Sequence, residues 1–236
     1  MKKIFIVLLT IIGLHLAADA QSAKKLAQEA RVVVDSNGTQ YPYAIWKKLV
    51  ATKEYRLKKI DKNSDSSAYL LVKLDSAQVA HRMADLDKPR ESENFTDGEQ
   101  IDLFSCKDIN GNKIKAADLK GKVVVLNFWF IGCPPCRMEI PALNELSKDY
   151  AGDPDVVFIA VALDQKWDIQ DFIKTNPLGY HIIDDGRTYA NRYGIHLYPT
   201  NVVVDRQGKV RFSNVGYAVN TPYWIKKTIE EAKNAN

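Results

Sequence analysis

Hydrophobic and polar positions recur along the chain with different periods, and those periods predict its elements. Residues 22–31 read as a short helix or tail. Val32, Val33 and Val34 are strand-like and run into Asp35-Ser36-Asn37-Gly38, a turn sequence. Tyr43, Trp46, Leu49 and Val50 recur at helical spacing. Residues 55–60 alternate as a strand, 61–67 form a polar loop and 68–74 a second strand. Together they predict a small α+β module built on a two-stranded hairpin. A helix carrying His81 follows. Residues 85–100 are polar and contain a proline, the composition of a linker. Further on, the apolar runs at 123–126 and 156–163 predict strands buried on both faces. A helix is expected from Pro134 to about Tyr150, kinked at Pro141. An amphipathic helix at 164–175, a strand at 180–183 and a helix at 188–193 come next, then a hairpin over 201–205 and 209–215 and a closing helix at 223–232. Strands alternating with helices, ending in a hairpin, make an α/β fold: a mixed sheet covered on both faces.

The first residues follow another pattern. Lys2 and Lys3 precede an apolar stretch from Ile4 to Leu16, and Ala18-Asp19-Ala20 follows. A charged start, a short apolar core and an Ala-x-Ala site make a signal peptide over residues 1–20. The apolar stretch is too short for a membrane-spanning helix. The expected organisation is signal peptide 1–20, an α+β domain 21–85, a linker 86–97 and a second domain 98–236, with the mature protein exported to the periplasm.

Net charge is +4 over 236 residues. Acidic and basic residues balance beyond Gly98, so the surplus lies in the N-terminal part, around Lys47, Lys48, Lys53, Arg56, Lys58, Lys59 and Lys62. That run is mild and mixed with acidic residues, which argues for a solvated face and against nucleic acid.

The chemistry concentrates between Asn127 and Pro141. Cys133 follows a buried strand, and Pro134 and Pro135 stand where a helix begins, a position proline suits because its missing N–H has no intrahelical partner there. A helix N-terminus carries partial positive charge and unpaired N–H groups, both of which stabilise a thiolate. Cys133 is therefore expected to be the exposed, low-pKa sulfur and Cys136 its buried partner, the two cycling between dithiol and disulfide. A pair of structural cysteines, or half of a zinc site, is the competing reading. Zinc needs two more ligands, and only Cys106 remains among the cysteines. Cys106 itself reads as a small buried residue of a hairpin around Asn110-Gly111.

The stretch Gly121-Lys122-Val-Val-Val-Leu-Asn-Phe-Trp, with Cys133-Pro-Pro-Cys136-Arg-Met-Glu139-Ile-Pro141 and later Tyr198-Pro199-Thr200, resembles the TlpA/ResA-like branch of the thioredoxin superfamily over about residues 98–236. The resemblance implies a thioredoxin-like fold and a thiol–disulfide oxidoreductase, a reductase fed by a membrane electron donor and acting on exported proteins. Its redox group is the Cys133–Cys136 disulfide itself, with no metal and no further cofactor. The resemblance also implies a cis peptide at Tyr198-Pro199, whose backbone pairs with the bound substrate chain. Glu139 matches the family's carboxylate near the sulfurs, placed to take a proton from Cys136. Asn127 stands where thioredoxins proper carry a buried aspartate; an amide cannot act as that base and reads as a buried hydrogen-bonding group. Trp129 belongs to the structure around the site. Gly132 departs from the family's usual Trp before the first cysteine and opens one wall of the groove. The alternatives are a copper-delivering module using Cys133, Cys136 and His196, a thiol peroxidase, and a binding module centred on the N-terminal domain.

Overall fold

The computed structural model describes residues 26–61 and 68–235. The signal peptide and most of the 61–67 loop lie outside the described residues. The chain divides into two compact units, Met1–Arg82 and Met83–Asn236. Among the described residues no helix is long and apolar enough to cross a membrane.

The first unit holds β1 (Val32–Val34), α1 (Tyr43–Ala51), β2 (Tyr55–Lys59) and β3 (Ala68–Lys73). Its sheet has three strands in the order β1-β3-β2, not the two of the expected hairpin. β2 and β3 do pair antiparallel, while β1 joins the far side of β3 in parallel, Val33 opposite Tyr69. A parallel partner needs a crossover, here supplied by α1 and β2; the local pattern of Val32–Val34 carries no sign of it. Val33, Trp46 and Leu71 form the core, with Tyr43 edge-on to Trp46 at 5.1 Å. α2 (Ser76–Ala84) follows.

The second unit contains β4 (Cys106–Lys107), β5 (Lys113–Ile114), β6 (Val123–Trp129), α3 (Pro134–Lys148), β7 (Val156–Ala162), α4 (Lys166–Phe172), β8 (His181–Ile183), α5 (Arg187–Arg192), β9 (Thr200–Val204), β10 (Val210–Val215) and α6 (Thr221–Asn234). Five strands run in the order β10-β9-β6-β7-β8. β6, β7 and β8 are parallel, and β9 and β10 are antiparallel to their neighbours. Every residue of β6 is buried, as a central strand covered on both faces requires. Val123, Val125 and Trp129 face one core, with Leu143 of α3 and Ile225 and Ile229 of α6. Val124, Leu126 and Phe128 face the other, with Phe95, Phe104 and Ile195.

The segment expected to be a linker is part of this second unit. Phe95 is 5% exposed and packs at 5.7 Å from the Tyr193 ring. The Val215 N–H donates to the Arg90 carbonyl, the Gly98 N–H to Val210 and the Val210 N–H to Glu99. The physical reason is that β10 lies at the edge of the sheet, and its outward peptide groups need partners. At the opposite edge, the Ile109 N–H of the β4–β5 hairpin donates to the Ile182 carbonyl of β8 at 2.9 Å. Cys106, in that hairpin, is buried, and burial pushes its thiol up to about 11, the behaviour of a packing residue.

A Phe95→Ala substitution tests the docking of this segment. A buried phenylalanine truncated to alanine costs about 3–5 kcal/mol, whereas the same change in a linker stays within about 0.5 kcal/mol. Denaturant unfolding of the second unit is expected to show the larger loss; a midpoint equal to that of the unsubstituted protein would restore the linker reading.

Candidate active site

β6 delivers its C-terminal end to the loop 130–132, and Cys133 caps α3. Pro134 and Pro135 open the helix without leaving an unpaired N–H of their own. Cys133 and Cys136 are joined in a disulfide, their Cα atoms 5.3 Å apart. The Cys136 N–H donates to the Cys133 Sγ at 3.2 Å, so a backbone donor already points at the sulfur that would carry charge on reduction.

The expectation of an exposed Cys133 is not met in the oxidised form: Cys133 is 3% exposed and Cys136 1%. Cys133 is bonded to a buried sulfur and sits in the core cluster against which Phe130, Ile131 and Tyr198 pack. Its chain neighbours Gly132 and Pro134 are exposed, whereas Pro135, before Cys136, is half-buried. The easier approach is thus still from the Cys133 side. A Cβ on Gly132 would meet only the Phe130 ring, at 3.6 Å, an ordinary contact distance.

Two further contacts fix the loop. Asp164, just beyond β7, accepts a hydrogen bond from the Ile131 N–H at 2.8 Å. Trp129 is buried, with its ring 5.6 Å from Phe172 of α4, and the Arg137 guanidinium lies over that same Phe172 ring at 5.5 Å. Opposite, Tyr198-Pro199 is a cis peptide, as the resemblance implied, and the Tyr198 ring stands edge-on to Phe130 at 5.4 Å. The two loops therefore meet. The Pro199 carbonyl accepts from the Gly216 N–H, but the Tyr198 N–H and carbonyl make no hydrogen bond to other described backbone groups.

Glu139 lies one turn beyond Cys136 on the buried face of α3 and is 1% exposed. The Asn127 Nδ2 donates to its Oε1 at 3.0 Å, and the Asn201 Nδ2 reaches Oε1 and Oε2 at 3.3 and 3.4 Å. Asn127 also donates to the Asn201 Oδ1 at 2.8 Å. Burial pushes the Glu139 carboxyl up to about 8, against the pull of the two amides, which favour its charged form. The two amides thus hold this carboxyl in place, one turn beyond Cys136 on the helix.

Sequence reasoning placed Cys133, Cys136, Glu139, Asn127, Tyr198 and Pro199 in one region, and the structure brings them together. It missed Asn201 and Asp164. Asn201 did carry a signal: an amide inside the buried valine run of β9 must find a partner. His196 is exposed, with its Nδ1 2.9 Å from the Gly194 carbonyl oxygen. Among the described residues there is no group of three or more His, Cys, Asp or Glu side chains that could hold a metal ion.

Residues 98–213 match the AhpC/TSA family. The chain is 35% identical over 122 residues to the thioredoxin-like protein YneN of Bacillus subtilis, an overlap of 51% of this chain and 72% of that protein. It is likewise 35% identical over 122 residues to the thiol-disulfide oxidoreductase ResA of Bacillus anthracis, covering 51% of this chain and 70% of that one. The chain belongs to the ResA-like thiol–disulfide oxidoreductases. A crystal structure of a DsbE-type thiol:disulfide interchange protein from Chlorobium tepidum superimposes with a TM-score of 0.52 at 28% identity, covering 58% of this chain and 98% of that one. This ResA-like protein thus has a thioredoxin-like fold, and it exchanges thiols and disulfides with protein substrates. The ResA-like unit is the second one; the first lies outside the matched region.

Proposed function

We propose that the protein is an exported reductase of disulfides in envelope proteins. It works through the Cys133/Cys136 pair with no cofactor beyond that pair, and a dithiol donor at the membrane re-reduces it. The observation that carries this reading is the disulfide at the start of α3, with the Tyr198-Pro199 loop against it and a buried carboxyl one turn beyond. Lys2, Lys3, the apolar stretch and Ala18-Asp19-Ala20 support export.

In the forward direction, the Cys133 thiolate attacks one sulfur of the substrate disulfide. The substrate S–S bond breaks, one substrate thiolate leaves and takes up a proton, and a mixed disulfide forms on Cys133. Cys136 then passes its proton to Glu139 and attacks the Cys133 sulfur. The second substrate thiolate departs and is protonated, leaving Cys133–Cys136 oxidised. Two electrons have moved from the protein to the substrate, and the donor dithiol returns them by the same exchange. During this, the unpaired Tyr198 peptide groups can hold the substrate chain as an added strand, which binds backbone more than sequence. Gly132 leaves room beside Phe130 for the substrate's side chains.

The reduction potential of the pair tests the direction. A value near that of thioredoxin, roughly −270 mV, is expected; one near roughly −120 mV would make the protein an oxidant of thiols instead.

A further inference from the structure

Glu139 is held by two amides, and they are not equivalent. Asn127 reaches only Oε1. Asn201 is the only side chain among the described residues that donates to Oε2, and its Nδ2 spans both carboxyl oxygens. Asn201 also acts on Asn127. Its Oδ1 accepts one Asn127 N–H while Glu139 Oε1 accepts the other. An amide whose two N–H groups are both engaged cannot turn its oxygen toward the carboxyl group. Without the Asn201 oxygen, Asn127 is free to flip. Its carbonyl would then face Glu139 and favour the protonated acid as a donor.

The strands make this placement possible. Asn127 of β6 and Asn201 of β9 are direct partners across the sheet, both on the side covered by α3. Asn214 of β10 continues the row opposite Asn201, but its Nδ2 is committed to the Gly216 carbonyl. The donors at Glu139 therefore come from Asn127 and Asn201. The titratable groups whose charge couples to Glu139 are the Tyr180 phenol ahead of β8 and the Tyr217 phenol after β10, both of which stay neutral well above neutral pH. On its own helix the neighbour is Cys136 once reduced.

We propose that Asn201 is a positioning residue of the thiol–disulfide exchange: it holds Glu139 as a proton acceptor beside Cys136, directly through Oε2 and indirectly by locking the donor side of Asn127 toward Oε1. This rests on the reading that Glu139 takes the Cys136 proton. Loss of Asn201 removes donors that favour the carboxylate, so Glu139 keeps its proton to higher pH and the resolving step weakens at neutral pH.

The experiment follows the resolving step alone. Reduced full-length protein is mixed with 5,5′-dithiobis(2-nitrobenzoate). Attack by Cys133 releases the first aromatic thiolate, and resolution by Cys136 releases the second, whose rate is measured from pH 5 to 10. With Asn201→Ala the inflection is expected to move up by at least about one unit, with a loss of about tenfold at pH 7. Asn201→Ser, which keeps one donor and the fold, should lie between. In a Glu139→Gln background, Asn201→Ala should change nothing further. A uniform slowing at every pH with the inflection unmoved, or an undiminished effect in the Gln background, overturns the proposal. If Glu139→Gln alone leaves the profile of the unsubstituted protein, the proton-transfer role of Glu139 fails instead. Infrared titration of the Glu139 carboxyl then decides for Asn201 separately: an upward shift in Asn201→Ala or Asn201→Ser supports the positioning role, and no shift overturns it.

Discussion

Replacing Glu139 by glutamine is expected to abolish most of the fall in stability of the oxidised protein between about pH 5 and pH 8. In the folded protein the carboxyl holds its proton up to about 8, whereas in the unfolded chain it releases it near its ordinary 4.5. Between those values the folded state binds one proton more than the unfolded state, so stability declines as pH rises. At about 1.4 kcal/mol per pH unit, the window amounts to roughly 5 kcal/mol, the cost of ionising a carboxyl group that water cannot reach. Below pH 4.5 the two states bind equally at this site and the group has no effect on the slope. Glutamine has nothing to titrate, so the difference between the unsubstituted protein and the variant isolates Glu139 from every other group. Urea unfolding of both at pH 5, 7 and 9 measures it. Parallel pH dependences would mean that Glu139 ionises freely in the fold. The same variant should slow resolution of the mixed disulfide by about 100-fold, within the range for loss of one general base. A variant that gains stability above neutral pH and loses resolution rate would show the expected exchange between stability and activity.

The second large effect is an asymmetry between the cysteines. Cys136→Ser should accumulate a mixed disulfide with substrate, because the resolving thiol is gone, and Cys133→Ser should accumulate almost none. The burial of both sulfurs in the oxidised form means that raw exposure does not decide this. What decides it is the N-cap position of Cys133, the Cys136 N–H directed at its sulfur, and the exposed Gly132 and Pro134 on either side. Cys136 instead lies inside the first turn of α3, behind the half-buried Pro135. Non-reducing electrophoresis of envelope extracts carrying each variant, followed by mass spectrometry, reads the outcome and names the trapped partner. Adducts on Cys133→Ser alone would reverse the order of attack.

The parts of the fold legible in the sequence are those written in local signals. The valine run before Asn127, the prolines after Cys133 and the spacing of the cysteines all act within one strand and one helical turn, so β6, the site loop and the start of α3 could be read directly. Glu139 was legible only as a position; its burial depends on strands far away in the chain. The misreadings share a cause. The parallel pairing of β1 with β3, the hydrogen bonds of residues 90–99 to β10, the Asp164 grip on Ile131 and the Asn201 contact with Glu139 join residues 33 or more apart in sequence. Polar composition concealed the packed segment because a single aromatic, Phe95, anchors it while backbone groups and the Ser92, Asn94 and Ser213 side chains do the rest. α4 ends three residues before the periodicity suggested, at Phe172.

The cover on the margins of the five-stranded sheet also bears on how the protein meets partly unfolded chains. A chain with a mispaired or newly reduced disulfide is often partly unfolded, and an extended segment of such a chain will zip onto any bare strand it meets. Residues 90–99 occupy one margin and the β4–β5 hairpin touches the other. An incoming chain that pairs with the Tyr198 peptide groups would do so beside the sulfurs, on a stretch too brief to seed a growing ladder. Stripping residues 90–99 from β10 should bare that edge strand and promote co-aggregation with partly unfolded chains.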